Sequence, residues 1–353
     1  MPVRVIQWAT GSMGRTSLRR IIDHPDLELV GVHVYSARKA GLDAGEIARR
    51  PATGVIATDD IDAILALDAD IVMHMPRITL PYDAMNADVV RLLASGKNVI
   101  STAGFHYPQA HDAVYAAPLR AACVAGHSTL AGLGVNPGAI VERLTLAATG
   151  LCSALTSIHV QETVDASSMA STEFVFGLMG FGADPATGDI TRGPLADLYT
   201  ALFSEVLHLA AVDLDEPVVT IAPAHETTPA PRDITLPAGV IPEGTVAATR
   251  WRWTATLASG VTMSLSILWT ADPALHPQDG RGHWTIDIKG RPDIRLTLAI
   301  DEGDPAAPPA RALTDATVAV AIAGIADVVA APPGFFAYPA PPAFRREQVA
   351  KVG

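Results

Sequence analysis

Residues 3 to 14 read VRVIQWATGSMG, which is a run of β-forming residues, a turn with two glycines and the start of a helix. A strand that leads through such a turn into a helix places backbone N–H groups where they can hold a pyrophosphate. The expected pyrophosphate contacts are Thr10, Gly11, Ser12, Met13 and Gly14. Ala9 stands where the usual fingerprint has its first glycine, so an ordinary tight turn is the alternative.

The first 145 residues alternate β-forming runs with helical patterns. The predicted strands are residues 3–8, 27–35, 55–58, 69–75, 98–102 and 128–133. Between them, apolar residues recur at helical spacing, as in Leu18, Ile21 and Ile22. This alternation predicts an α/β domain, a Rossmann-type doubly wound parallel sheet, over residues 1–145.

After residue 145 the apolar pattern becomes strictly alternating. Residues 250–253 read RWRW, which puts both tryptophans on one face of a strand. The alternation predicts a second α+β domain, residues 146–312, built on a mostly antiparallel sheet, with a covering helix at residues 194–211. The proline-rich residues 223–242 and residues 304–309 are predicted to be loops, and a final helix is predicted at residues 315–330.

The end of the second predicted strand indicates the cofactor type. Residues 35–39 read YSARK and contain no Asp or Glu to bind the ribose hydroxyls of NAD. Ser36, Arg38 and Lys39 can instead bind a 2′-phosphate, so NADP is predicted, with NAD as the other possibility. The alternative is that Arg38 and Lys39 are solvated loop charges.

In open α/β sheets the ligand lies beyond the carboxyl ends of the strands. The loops there read HMPR at 74–77, STAGFHYP at 101–108 and GLGVNPG at 132–138. The residues expected to frame the cofactor are Met75, Pro76, Thr102, Ala103 and Asn136. For Asn136, a structural turn that caps the next helix is an equal alternative.

Three side chains are candidates for the catalytic proton transfers. His106 and Tyr107 follow the fifth predicted strand, and a histidine titrates near neutral pH. Glu162, near the end of a strand in the second domain, could bind an ammonium group or position a water. The alternatives are that His106 is a hydrogen-bonded or solvated loop residue, and that Glu162 is an ordinary polar residue at a strand end.

Composition excludes several classes of function. The 353 residues carry a formal net charge of -12 and no dense basic patch, which argues against nucleic acid as a partner. The longest strongly apolar stretch, residues 318–326, is too short to span a bilayer, so we expect a cytoplasmic protein with no membrane partner. Its two cysteines and scattered histidines show no metal-ligand spacing, so no metal is expected.

Four segments carry a resemblance to a known family. Residues 6–14 (IQWATGSMG), 132–138, 179–182 (MGFG) and 328–334 (VVAAPPG) are similar to the dihydrodipicolinate-reductase-like NAD(P)-dependent oxidoreductases. The similarity is greatest to the branch with native amine dehydrogenases and 2,4-diaminopentanoate dehydrogenase. The resemblance implies a homodimer, a C-terminal segment (313–353) that returns to the first domain, and hydride transfer between NAD(P)H and a C=N or C=O carbon.

Two departures from the family pattern bear on the substrate. The lysine and Pro-Ser-Gly-Thr motif of dihydrodipicolinate reductase do not follow Glu162, so its dicarboxylate substrate is not expected. Amine dehydrogenases use a glutamate after strand five to activate ammonia or the amine, whereas this chain reads AGFH, so ammonia-dependent amination would need His106, Tyr107 or Glu162 in its place. The expected substrate is therefore a small, largely apolar imine, amine or ketone. The alternatives are a ketone or enone reductase that does not use ammonia, and a non-catalytic NADP-binding sensor.

Overall fold

The computed structural model describes residues 1–186, 194–275, 283–304 and 311–346. These residues divide into two compact units. The first contains described residues of Met1–Ile140 and Asp301–Pro339, and the second contains those of Val141–Ile300 and the residues from Ala340 onward. The domain limits expected from the sequence, residues 145 and 312, remain predictions.

The first unit is built on a six-stranded parallel sheet with the order β14-β5-β4-β3-β1-β2. Its strands are β1 (Val3–Trp8), β2 (Leu27–His33), β3 (Ile71–His74), β4 (Asn98–Ser101), β5 (Thr129–Gly132) and β14 (Gly334–Phe335). Its helices are α1 (Ser12–Asp23), α2 (Ala44–Ala48), α3 (Ile61–Leu65), α4 (Asn86–Ala94), α5 (Ala113–Gly126), α8 (Arg311–Ala323) and α9 (Ile325–Ala330), with short 3-10 turns at Tyr82–Met85 and Pro108–Ala110.

Helices cover both faces of this sheet. On one face, α4 and α5 bury apolar side chains such as Leu92 and Leu119 against the strands. On the other face, Ile21 of α1 and Val318 of α8 pack against strand residues such as Ile71. Because both faces are covered, apolar residues stand at consecutive positions, such as Val5 and Ile6 or Ile71 and Val72, rather than only at alternate ones. The predicted α/β class with a doubly wound parallel sheet is confirmed.

One predicted strand of the first unit is wrong. Residues 55–58 make only two isolated bridges, one from Thr58 to His33 and one from Ile56 to Asp43. Ile56 is 56% exposed, so this run lacks the two covered faces that stabilise a parallel strand.

The second unit contains a six-stranded mixed sheet with the order β13-β12-β6-β11-β10-β7. Its strands are β6 (Ala154–Asp165), β7 (Val218–Pro229), β10 (Val246–Leu257), β11 (Thr262–Thr270), β12 (Trp284–Arg291) and β13 (Ile294–Leu298). All neighbouring pairs are antiparallel except β6 and β11, which are parallel. Helix α7 (Pro194–Asp213) contacts this sheet, and Trp253 Nε1 donates to Thr200 Oγ1 at 2.8 Å. The predicted second domain on a mostly antiparallel sheet is therefore confirmed.

The prediction of a loop over residues 223–242 is wrong. Residues up to Pro229 belong to β7, and β8 (Ile234–Leu236) and β9 (Gly239–Ile241) form a small hairpin. Proline cannot donate a ladder hydrogen bond, but β7 lies at the edge of its sheet and has a single partner strand. The prolines therefore occupy the one kind of strand that tolerates them. In the other predicted loop, 304–309, residues 305–309 lie outside the described residues.

The predicted helix over residues 315–330 is two helices, α8 and α9, which are separated at Gly324. A side chain at this position would meet Tyr338 Oη at 3.2 Å as well as Leu133, so the tight packing requires a glycine. Arg311–Ala330 is long and apolar enough to cross a membrane by length and composition, so the expectation that no stretch qualifies is corrected. Its side chains Val318, Ala321, Ile325 and Val328 nevertheless pack into the core of the first unit.

Short helical segments connect the remaining elements. A π-helical segment, Val135–Thr145, runs into α6 (Leu146–Thr149), and a second π-helical segment covers Glu173–Leu178. The 3-10 turn Pro273–Leu275 follows β11.

Candidate active site

The glycine turn lies between β1 and α1 in the first unit. Gly11 is the N-cap of α1, and no side chain caps the first turn of the helix. Nothing lies within 4 Å of the position that a Cβ of Gly11 would take. The uncapped N–H groups of Ser12 and Met13 therefore adjoin open space, which suits them to bind an anion.

The other two small residues of the turn have structural tasks. A Cβ at Gly14 would lie 2.9 Å from the carbonyl carbon of Ala9, so helix and turn pack too closely for a side chain. Ala9 adopts φ 69°, the left-handed conformation for which glycine is the usual choice. Ala9 therefore departs from the fingerprint in residue type but keeps the backbone conformation that a glycine would have there.

The loop after β2 folds back onto this turn. Lys39 Nζ donates to the carbonyl oxygen of Thr10 at 2.7 Å and to Thr10 Oγ1 at 3.0 Å. Ser36 accepts a backbone hydrogen bond from Lys39 at 2.8 Å, and Arg38 is exposed. The structure thus brings the predicted 2′-phosphate residues beside the predicted pyrophosphate residues.

Arg15 joins this group and was missed in the sequence prediction. Burial, followed by the nearby charges of Arg15 and Arg38, lowers the pKa of the Lys39 ammonium group. Arg15 and Arg38 therefore lie near Lys39, the side chain that contacts the turn. Arg15 directly follows Gly14 in the first turn of a helix, and that position is a sequence signal that could have identified it.

At the carboxyl ends of β3 and β4, hydrogen bonds fix the next loops. His74 Nδ1 lies 3.0 Å from Ser101 Oγ, which also accepts from the backbone N–H of Ala103 at 3.1 Å. Thr102 donates its N–H to the carbonyl of His74 at 3.1 Å. Met75, which is buried, donates to the carbonyl of Trp8 at 3.1 Å, and half-buried Pro76 follows it. The four predicted cofactor residues at positions 75, 76, 102 and 103 therefore lie together in the loops at the carboxyl ends of β3 and β4, which these hydrogen bonds fix.

An aromatic group lies at the same edge and was not predicted. The rings of Trp8 and His33 stack with centroids 3.7 Å apart, and Trp8 Nε1 donates to Tyr35 Oη at 2.8 Å. These residues come from the ends of β1 and β2 and the loop after β2. Their meeting follows from the adjacency of β1 and β2, which a βαβ unit implies, but no local sequence pattern specifies the stacking of the side chains.

The loop that carries His106 has an unusual backbone. Phe105 is buried and has φ 67°, which is rare for a bulky side chain, and Gly104 has φ 123°. A Cβ at Gly132 would lie 2.5 Å from the carbonyl oxygen of Gly104, so β5 packs directly against this loop. His106 is only 6% exposed, and half-buried Tyr107 follows it. The predicted catalytic histidine is therefore an enclosed side chain, not a solvated one.

Two further residues flank this loop. A Cβ at Gly104 would lie 3.0 Å from Tyr82 Cζ, so the Tyr82 ring covers the glycine, and it stacks on Tyr115 at 5.9 Å. Tyr82 was missed because it comes from a different segment of the chain. Asn136 is half-buried and has extended backbone angles, φ -132° and ψ 132°, at a break in the π-helical segment.

Glu162 belongs to the second unit. In β6 it lies in register between Ile267 of β11 and Trp284 of β12. Burial raises the pKa of Tyr199 on α7 to about 12, and the Glu162 carboxylate adds to that shift. Glu162 is thus a carboxylate among apolar and aromatic side chains, and its catalytic role remains a prediction.

In the part of the chain that the structure describes, no group of three or more His, Cys, Asp or Glu side chains could hold a metal ion.

His74 provides a pH-dependence test. Burial, with a smaller effect of His33, lowers the pKa of His74 to about 3. Since the unfolded chain binds this proton near pH 6.5, stability is lost as the pH falls below that value. In a plot of unfolding free energy against pH, His74→Gln should remove about 2 kcal/mol of the loss at pH 5. The exposed His127→Asn is the control and should leave the slope unchanged. A His74→Gln slope equal to that of wild type would contradict the assignment.

Comparisons at the level of sequence find similar oxidoreductases. A family model described as dihydrodipicolinate reductase, N-terminus, matches residues 4–124. An amine dehydrogenase from Streptomyces virginiae is 29% identical over 317 residues, which cover 86% of each chain.

Solved structures with low sequence identity show the same fold. The amine dehydrogenase from Mycobacterium smegmatis superposes with a TM-score of 0.75 at 18% identity, covering 98% of this chain and 99% of the other. GenD2 from gentamicin A biosynthesis, solved in complex with NAD, gives a TM-score of 0.57 at 15% identity, covering 93% and 86%. The predicted resemblance to the dihydrodipicolinate-reductase-like oxidoreductases and their amine dehydrogenase branch is confirmed.

Proposed function

We propose that this chain, an NAD(P)-dependent oxidoreductase similar to amine dehydrogenases, uses NADP(H) and acts on the C=N or C=O carbon of a small, largely apolar substrate. The observation that carries the proposal is that Lys39, with Arg15 and Arg38 near it, hydrogen-bonds to Thr10 of an open glycine turn. The sequence likeness to an amine dehydrogenase over 86% of each chain supports the amine and imine part.

The residues present fit a dinucleotide. The N–H groups at the start of α1 would hold the pyrophosphate, and the space beside Gly11 would admit it. Ser36, Arg38 and Lys39 would bind the 2′-phosphate, for which arginine is well suited. When bound, the nicotinamide supplies or accepts the hydride. The loops at 74–77 and 101–108 would then position the substrate.

Proton transfer falls to the chain's own side chains. His106 and Tyr107 lie on the loop after β4, and Glu162 lies in the second unit. The enclosed position of His106 limits its contact with water, which supports transfer to a bound substrate rather than to solvent. We further propose that the protein is a cytoplasmic homodimer with a small-molecule substrate as its partner.

The substrate class is tested with a panel of apolar ketones, enones, imines and amines, each with NADP(H), followed at the nicotinamide absorbance. We expect turnover of amines in the oxidative direction and of the matching ketones with ammonia in the reductive direction. His106→Gln and Tyr107→Phe are measured in parallel, and the variant that loses kcat identifies the proton donor. Ketone turnover that ignores ammonia would favour a plain ketone reductase. Tight cofactor binding without any turnover would favour a sensor.

Cofactor preference has a separate test. Arg38→Ala should weaken NADP binding about tenfold and leave NAD binding nearly unchanged, because only NADP carries the 2′-phosphate. Both dissociation constants are measured by fluorescence titration. Arg91→Ala, which removes an exposed arginine paired with Asp62, is the matched control. NAD binding as tight as NADP binding, and unaffected by Arg38→Ala, would contradict the preference.

A further inference from the structure

A cavity lined by arginines runs along α1 on the first unit. Its volume is about 370 Å³, and Arg15, Arg19, Arg49 and Arg311 line it, together with hydroxyl groups that include Ser12 and Thr16. Among the described residues, no carboxylate lines it. Guanidinium and hydroxyl groups are donors for oxyanions, and a cavity of this size has room for a small phosphate compound.

The positive charge of this arginine cavity is only partly balanced. Arg311 pairs with Glu302 at 3.1 Å, Asp304 at 3.6 Å and Asp315 at 3.9 Å. In a larger adjoining cavity, Arg50 pairs with Asp23 at 2.6 Å. Across the described ranges, no carboxylate lies within salt-bridge distance of Arg15, Arg19 or Arg49. Arg19 Nε donates only to the carbonyl of Ala48, at 2.8 Å. Three arginines therefore line one cavity, while the carboxylates near them, Asp23 and Asp315, line the larger adjoining cavity.

Arg49 adds an independent observation. It is the C-cap of α2 and has φ 57°, the left-handed conformation in which helices usually place glycine. An arginine here carries a conformational cost that glycine would avoid, and this residue lines the cavity. Backbone strain of this kind is found where a side chain is needed for a function.

The cavity differs from the proposed 2′-phosphate site. Arg38 and Lys39 do not line it, and Arg15 and Ser12 lie where the cavity adjoins the glycine turn. We propose that the arginine cavity is a second anion site, which binds a phosphate-bearing compound beside the cofactor. Bound phosphate would neutralise the mutual repulsion of Arg15, Arg19 and Arg49, and two or more negative charges would bind better than one.

The test is calorimetric titration of the whole chain with inorganic pyrophosphate, with and without saturating NADP. We expect binding to persist when NADP is present, and to weaken about tenfold or more in Arg19→Gln/Arg49→Gln, while Arg91→Gln binds as wild type does. Circular dichroism checks that each variant is folded. Arg49→Gly keeps the test decisive. Because glycine favours the left-handed backbone, this variant should fold at least as well as wild type. It should nevertheless bind pyrophosphate less tightly. Wild-type affinity for pyrophosphate in both Arg49→Gly and the double variant, or displacement of pyrophosphate by NADP or by NAD, would overturn the proposal.

Discussion

Gly11→Val should give a folded protein that no longer binds its cofactor. A valine here meets no protein atom within 4 Å of its Cβ, so the fold has room for it. The same volume is where the proposed pyrophosphate would approach the N–H groups of α1. Loss of two charge-assisted hydrogen bonds would weaken NADP(H) binding at least about 100-fold. Fluorescence titration measures the dissociation constant, and thermal unfolding verifies the fold.

Two other glycines serve as controls for this experiment. Gly303 is exposed and also has nothing within 4 Å of a Cβ, so Gly303→Val should bind cofactor as wild type does. Gly14→Ala should instead destabilise the fold, since its Cβ would press on the backbone of Ala9. Tight cofactor binding by a folded Gly11→Val would mean that the turn does not hold the pyrophosphate.

Gly132→Ala should destabilise the first unit and reduce activity together. Its Cβ would lie 2.5 Å from the carbonyl oxygen of Gly104 and inside contact distance of the backbone of Phe105 and His106. These are backbone atoms of a strained loop, so they cannot move as a flexible side chain would. We expect a loss of about 3 kcal/mol or more in unfolding free energy, measured by urea denaturation, with a fall in kcat/KM because the His106 loop is displaced.

The matched control is Gly134→Ala, two residues further along. There the nearest atom to the new Cβ is Thr317 Cγ2 at 3.6 Å, an ordinary van der Waals contact. Its unfolding free energy should change by less than about 1 kcal/mol. If Gly132→Ala and Gly134→Ala lower the unfolding free energy equally, the loss of stability would reflect the flexibility of glycine and not the close approach of β5 to the loop.

The fold of the first unit could be predicted from the sequence because its signals are local. Buried parallel strands give continuous apolar runs, and the glycine turn between Trp8 and Ser12 marks where a strand becomes a helix. The alternation around Trp251 and Trp253 likewise predicted the second sheet. The edge strand β7 was misread, because prolines such as Pro223 break central strands but are tolerated at an edge.

The candidate site was predictable only in part. Thr10 and Lys39 lie far apart in the chain, and their hydrogen bonds follow from the adjacency of β1 and β2. That adjacency is inherent in a βαβ unit, so both residues could be placed at one site from the sequence. Two features depend on packing between distant segments: the Tyr82 ring that covers Gly104, and the arginine cavity along α1. No periodic sequence pattern predicts such packing.

The first sheet is completed by elements from distant parts of the chain, and this has a consequence for biosynthesis. Strand β14 pairs with β5 at Thr129, and α8 and α9 cover one sheet face, yet all three lie beyond residue 310. A ribosome delivers them after all six strands of the second sheet, so a nascent chain that has grown only to residue 300 exposes apolar strand residues such as Ile71 and Ile100. Contacts between such distant segments form slowly, and exposed apolar surface promotes aggregation. The first unit, although it is started first, therefore cannot be completed until residues 311–335 have been synthesised.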